Sequence, residues 1–267
     1  MVIKWRQNFR VAAPSGSHLE KRTLVRNTSR LPAVAATVAT AAFAAATQAA
    51  DFNAIGLLNQ TEFRAFSEDV ASAISYKGLI PAEGLGITGF DISVAATGTE
   101  VAHRATLSKA AGGATVPKAV PVVGVRAVKG LPFDIDIGVV QMTLPDTNVR
   151  ATGGELRWAF VGGSTVLPAV AVRVSGTSLS GVQQLKMRTL SGDISISKGF
   201  AFLTPYAGVG NVEVKSSAPG TSLRAETFRM NKGFVGVNVA LVPFALGLEA
   251  DKTGDATSYS VKLALRW

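Results

Sequence analysis

From Phe90 to Trp267, apolar and polar residues alternate with a period of two in run after run. That spacing belongs to a strand with one apolar and one polar face. The first run places Phe90, Ile92, Val94 and Ala96 opposite Asp91, Ser93 and Thr97. The second sets Val123, Val125 and Ala127 against Gly124 and Arg126. The third sets Phe133, Ile135, Ile137 and Val139 against Asp134, Asp136 and Gly138. Leu156, Trp158 and Phe160 then oppose Glu155 and Arg157, and Val170, Val172 and Val174 oppose Ala171 and Arg173. Residues 184–197 are less regular, with Leu190, Ile194 and Ile196 against Asp193 and Ser195. A strand over about 200–215 includes Phe200, Phe202 and Tyr206. Residues 226–241 set Val235, Val237, Val239 and Leu241 against Gly236 and Asn238. Phe244, Leu246 and Leu248 oppose Gly247 and Glu249, and the last run sets Tyr259 to Trp267 against Ser260, Lys262 and Arg266. These runs predict about ten strands of about 9–15 residues, long enough to cross a bilayer when tilted.

Residues 60–75 break the pattern. Phe63, Phe66, Val70 and Ile74 recur at three- and four-residue steps, which predicts a helix, with Glu62, Glu68 and Asp69 on its polar face. A first strand is the alternative, since residues 70–76 also admit a period-two pattern.

The connections differ in length. Lys129–Pro132, Lys198–Gly199 and Leu241–Phe244 are short, whereas 99–120, 176–183, 216–225 and 252–257 are longer and polar. Short turns on one side and long loops on the other are the habit of an outer-membrane barrel. With the C-terminus on the periplasmic side, every short turn falls there, and the strand number is even only if 60–75 is a helix. Phe133, Phe160, Phe200, Phe244 and Trp267 then sit at one rim as an aromatic girdle, with Tyr259 and Phe228 near the other.

The N-terminus reads as an address. Residues 31–50 carry no charge and are rich in Ala, and Lys21, Arg22, Arg26 and Arg30 precede them. Thr47 and Ala49 supply a small-x-small cleavage site, so residues 1–49 are expected to be a signal peptide for Sec export. Cleavage after Ala50 and retention as an anchor are the alternatives. The basic part is long enough that residues 1–24 are also readable as an over-extended start, with translation beginning near Val25. The expected organisation is thus a leader at 1–49, an N-terminal segment at 50–85 containing the helix, and a barrel at 86–267.

Composition narrows the classes. Charged residues are only 17% against 47% hydrophobic, which excludes a disordered chain or a coiled coil. The absence of Cys excludes disulfides, thiolate metal sites and Cys nucleophiles. The net charge of +9 belongs mostly to the leader. Residues 1–49 hold seven of the 27 Lys and Arg and one of the 18 acids, leaving 20 basic and 17 acidic residues. A net charge of +3 gives no support for nucleic acid as a partner.

The final strand resembles the terminal signal of bacterial outer-membrane β-barrels, which end in an aromatic residue preceded by apolar residues at every second position. Tyr259, Val261, Leu263, Leu265 and Trp267 carry it here, with Trp in place of the usual Phe. The chain is similar to small outer-membrane β-barrel proteins of Gram-negative bacteria. The resemblance implies an all-β, antiparallel transmembrane β-barrel of about ten strands, with twelve as the alternative. It also implies recognition by the barrel-assembly machinery and contact with outer-membrane lipid and lipopolysaccharide. It implies no particular activity.

Little chemistry stands out. Enzymatic barrels imply a His working with Ser or an acid, and past the leader the chain has only His103, with Glu100 and Ser108 nearby at no known dyad spacing. No catalytic residue, metal ligand set or cofactor is expected, and an enzyme is disfavoured. Asp134 and Asp136 could hold Ca²⁺, but they alternate with Ile on a strand and are expected to point into the lumen. The informative set is the inward face. If the apolar faces meet lipid, the lumen receives Arg126, Asp134, Asp136, Glu155, Arg157, Arg173, Asp193, Glu249, Lys262 and Arg266. Charges on adjacent strands, about 4.8 Å apart, can pair.

The expected function is a narrow channel or passive solute-uptake pore with a charged lumen. The first alternative is a non-conducting barrel, filled by its own side chains, that serves envelope structure or surface interaction. Its surface would be 99–120, where His103, Arg104, Lys109 and Lys118 could meet lipopolysaccharide phosphates. The second alternative is a soluble periplasmic ligand-binding barrel with the polar face outward; Trp267, the rim aromatics and the loop asymmetry speak against it.

Overall fold

The computed structural model describes residues 52–267. The expected leader and its cleavage site lie outside the described residues.

Ten antiparallel strands close on themselves. They are β1 (Phe90–Glu100), β2 (Ala119–Leu131), β3 (Ile135–Thr143), β4 (Arg150–Gly162) and β5 (Ala169–Ser180), then β6 (Lys186–Ser197), β7 (Leu203–Ser217), β8 (Glu226–Leu241), β9 (Phe244–Thr253) and β10 (Ala256–Arg266). The seam between β1 and β10 runs from Asp91↔Arg266 to Glu100↔Thr257, and Phe90 and Trp267 exchange main-chain hydrogen bonds beyond it. Closure leaves no strand edge, which a lipid environment demands because nothing there can satisfy a free N–H or C=O. The count is ten, an even number as the parity of the connections required, and the twelve-stranded alternative falls away.

The apolar face of each strand points outward. Val94, Val125, Val139, Leu156, Val174, Leu190, Val235, Leu248 and Leu263 are exposed, while their polar neighbours in sequence are buried. An aqueous barrel would be arranged the other way.

The two ends differ. At the turn end the links are 132–134, 163–168, 198–202 and 242–243, and both termini of the sheet lie there too. At the loop end they are 101–118, 144–149, 181–185, 218–225 and 254–255. Two sequence expectations shift. The link expected at 252–257 shrinks to 254–255, because β9 and β10 stay paired as far as Ala256↔Thr253 and Gly254 supplies a left-handed φ of 59° for the tight turn. The long 99–120 loop contains a short helix, α2 (Arg104–Ala110).

Helix α1 (Gln60–Ile74) forms where the periodicity placed it. Asn59 caps it by accepting from the Glu62 amide, and the Glu62 carboxylate accepts from the Asn59 amide at 2.8 Å. Because it is ringed by β1, β2, β6, β7 and β10, α1 stands inside the barrel. Phe63 and Phe66 are fully buried there among Val122, Met142, Met187, Val212, Val214, Phe228 and Met230 from the wall. The lumen is therefore apolar near the loop end and charged below.

Residues 52–89 traverse the barrel lengthwise. Ala54 bonds to Ala110 of α2, and Gln60 bonds to Arg224 in the β7–β8 loop, both at the loop end. Ser72 reaches Thr253, Leu79 reaches Glu249 midway, Ala82 reaches Ser197, and Lys129 takes the Ile87 carbonyl at the turn end. The segment then turns into β1. At this exit Gly130 is a necessity of space, since a Cβ there would run into the Gly86 main chain.

Candidate functional site

The inward polar faces of the strands carry the charges, and the segment 75–85 lies among them. Burial of an isolated charge is costly, so each must find a partner. On the wall, Arg157 of β4 sits directly across from Asp136 of β3 and donates Nε to it at 3.1 Å. Arg173 of β5 is directly across from Asp193 of β6, at 2.9 Å. Glu155 lies between two cations, Arg126 at 3.2 Å and Arg173 at 3.5 Å. Arg126 on β2 reaches Glu155 on β4 past Gly138 of β3, where a Cβ would press on the Glu155 side chain at 3.0 Å. Across the seam, Asp91 accepts from Lys262 at 2.9 Å and also from Arg266.

Arg126 and Arg157 also donate to the main chain of the central segment. Arg126 gives Nη1 to the carbonyls of Lys77 and Gly78, and Nη2 to the Tyr76 hydroxyl at 2.9 Å. Arg157 gives to the carbonyls of Pro81 and Glu83. Lys232 of β8 donates to the Tyr76 carbonyl at 2.6 Å. Acids take the segment's donors in return: Glu249 accepts from the Leu79 amide at 3.0 Å and Asp136 from the Leu85 amide at 3.1 Å. Lys77 itself pairs with Asp251 of β9 at 2.9 Å. A guanidinium with five donors suits this dual duty better than an ammonium would.

Of the residues expected in the lumen, Arg126, Asp136, Glu155, Arg157, Arg173, Asp193, Glu249 and Lys262 are buried on the inward face. Arg266 is there at the turn end, with its side chain 23% exposed. Asp134 is not. It belongs to a 3₁₀ turn, Pro132–Asp134, with a φ of 55°, so β3 starts only at Ile135. Asp134 is thus exposed while Asp136 is buried. Among the described residues no group of three or more His, Cys, Asp or Glu could hold a metal ion. Asp91, Lys232 and Asp251 also face inward and were not in the expected set; strand parity places all three there, counted from Ile92, Gly236 and Glu249. Lys77 lies on the central segment, where no periodicity applies.

The aromatic residues Phe133, Phe160, Phe200, Phe244 and Trp267 are exposed at the turn end. Phe133 and Phe200 occupy turns rather than strands, because β3 and β7 begin later than the alternation suggested. Tyr259, Leu263, Leu265 and Trp267 of the terminal strand point outward, with Val261 partly covered. Phe228 is turned inward, where the Arg64 guanidinium of α1 sits 3.7 Å from the centre of its ring. His103 precedes α2; its amide and that of Ala102 donate to Asp69 of α1, and Nδ1 lies 3.5 Å from the same carboxylate. The Ser108 hydroxyl is spent on the Ala114 carbonyl. Outside the strands, a hydrogen bond from Lys109 and one from the Asn59 amide hold the Glu62 carboxyl below its ordinary pKa.

Cavities of about 30 Å³ lie beside Tyr76 and Arg126 and near Phe52 at the loop end. Each admits about two water molecules.

No family model and no curated protein matches the chain. Among solved structures it is similar to the N-terminal β-barrel domain of Pseudomonas aeruginosa OprF, at 9% identity over 68% of this chain and 99% of that one, with a TM-score of 0.35. It is similar to the KdgM porin in complex with disordered oligogalacturonate, at 9% identity over 66% of this chain and 99% of that one, with a TM-score of 0.37. It is also similar to Ail, the attachment invasion locus protein of Yersinia pestis, at 12% identity over 69% of this chain and 99% of that one, with a TM-score of 0.29. At these values the likeness is one of architecture alone; the closed ten-stranded sheet and its apolar outer face establish the fold in their own right. A closed antiparallel sheet whose strands turn their apolar faces outward is the architecture of a transmembrane β-barrel.

Proposed function

We propose that the protein is a closed outer-membrane barrel whose own N-terminal segment fills the lumen, and that it serves the cell envelope structurally or through its loop end. The observation that carries this is the use of the wall charges. Arg126, Arg157 and Lys232 do not face a water column; they hold main-chain carbonyls of residues 76–83. Of the two uses weighed for a charged lumen, the non-conducting one is therefore favoured over the solute pore. The cavities beside Tyr76 and Arg126 and near Phe52, of about 30 Å³ each, have room for water and none for a sugar.

In this proposal the turn end lies in the periplasm and the loop end outside, with the chain exported by the Sec route and inserted by the barrel-assembly machinery. No catalytic role is included. Asp69, the acid beside His103, is already committed to two main-chain amides, and Ser108 is turned away to Ala114.

The test combines fractionation with liposome swelling. Heat-modifiable protein in the outer-membrane fraction, and proteoliposomes that fail to swell in a graded series of small sugars, are expected. Swelling that cuts off at a defined sugar size would restore the pore.

A further inference from the structure

Phe52 and Trp267 lie at opposite ends of the barrel. At the loop end the Phe52 ring meets Phe66 of α1 edge-on at 5.1 Å, and the Ala54 amide bonds to Ala110 of α2. Trp267 and the start of β1 are at the turn end. An even number of strands leaves both termini of a sheet on one side. Residues 52–89 undo that by running the length of the lumen before β1 begins.

The turn-side half of this path holds a main chain. Over 78–85 the wall side chains bond to the carbonyls of Gly78, Pro81 and Glu83 and to the amides of Leu79, Ala82 and Leu85. Every residue carries these groups, the proline amide aside. Small residues let the two surfaces approach. A Cβ on Gly78 would collide with the Arg173 guanidinium, and one on Gly247 of β9 would meet the Leu79 carbonyl at 3.3 Å. Ala82 packs with Ala159, Ala169 and Ala171 of the wall. The loop-side half holds a helix, about 10–12 Å across with its side chains. There the apolar face of α1 finds Val122, Met142, Met187 and Val212. Burying that face draws the chain ahead of it toward the loop end.

We propose that the barrel passes its own N-terminal polypeptide along the lumen, from the turn end to the loop end, and that the burial of α1 makes the passage one-way. The cargo is an unfolded chain, held through its main chain, and whatever is joined ahead of Phe52 travels with it. The driving force is the folding of residues 52–89 into the lumen. This rests on the orientation proposed above and gives the loop end a specific use: it presents an N-terminus outside the cell while the C-terminus stays in the periplasm.

The test uses the full chain, expressed in a Gram-negative host, with a short unstructured epitope between Asp51 and Phe52 and Phe133→Cys as a marker of the turn end. On intact cells, antibody is expected to bind the epitope and an impermeant maleimide to spare the thiol, with the barrel heat-modifiable. A hidden epitope and a hidden thiol in an assembled barrel overturn the passage and leave the orientation standing. A labelled thiol, whatever the epitope does, overturns the orientation and the passage with it. A second chain carries, at the same junction, a small domain held folded by one disulfide; a third carries that domain with both of its Cys replaced by Ser. Loss of the surface signal is expected for the disulfide form alone. Equal display of the two forms shows the wall closing around a chain already in place and overturns passage along the lumen. Where an insertion blocks assembly, Asn53→Cys, which adds no residue, takes the place of the epitope, and protection of both thiols overturns the passage.

Discussion

The Nζ of Lys77, three residues beyond the end of α1, lies 2.9 Å from Oδ1 of Asp251 on β9, and both residues are buried. This ion pair ties the central segment to the wall at the level where the lumen changes from apolar to charged. Replacing Lys77 by Met leaves a buried carboxylate without its cation. A loss of about 3–5 kcal/mol is expected in urea unfolding of the refolded protein. Adding Asp251→Asn should recover part of it, and a double variant as unstable as the single one would show that the pair does not couple.

Residue 53 lies at the loop end, beside Gly112 after α2, whereas Phe133 is 86% exposed at the turn end. The chain contains no Cys, so a single introduced thiol reports without background. In intact cells a membrane-impermeant maleimide should label Asn53→Cys and spare Phe133→Cys. The reverse pattern would invert the orientation proposed for the barrel.

The capping box at the start of α1 is exposed and can be tested without disturbing the wall. Asn59→Ala should cost about 1 kcal/mol of helix stability. The Glu62 carboxyl titrates below its ordinary value of 4.5 in the folded protein, so its contribution is complete above that value and is lost as the pH falls through the lowered one. Hydrogen exchange of the first amides of α1 should therefore be constant from neutral pH down to about 5, after correction for the intrinsic rate, and lose protection further down. Lysine-to-methionine replacement at 109 should move the loss upward toward the ordinary carboxyl value.

Trp267 stacks on Phe90 with ring centres 5.4 Å apart and completes the seam through main-chain bonds of 2.9 and 3.2 Å. Deleting Trp267 should lower the yield of heat-modifiable barrel in the outer membrane. An undiminished yield would remove it as an assembly signal.

The strand count and the polar faces of the turn-side half were legible because charged residues there interrupt apolar runs. Arg157, Arg173 and Asp193 each interrupt an apolar run at a position of unambiguous parity. The loop-end half was harder. Val120, Val122, Val140 and Met142 face inward although they are apolar, because α1 offers them an apolar partner inside the lumen. Strand alternation has no contrast there, so the sequence places Phe228 near a rim without showing that it turns inward. Asp134 failed for a different reason: its backbone adopts a left-handed turn, and a side-chain pattern does not register φ. The course of residues 75–85 had no periodic signal at all. Its position is fixed by side chains distant in sequence, Arg126, Arg157 and Glu249, that reach largely its main chain.

The central claim is that the folded lumen is occupied. Single-channel conductance of the refolded mature protein in a planar bilayer, scanned over salt and voltage, tests it most directly. A silent bilayer containing folded, heat-modifiable protein is the predicted result. Reproducible, ion-selective current steps from the intact chain would contradict it and return Arg126, Arg157 and Arg173 to the lining of a pore.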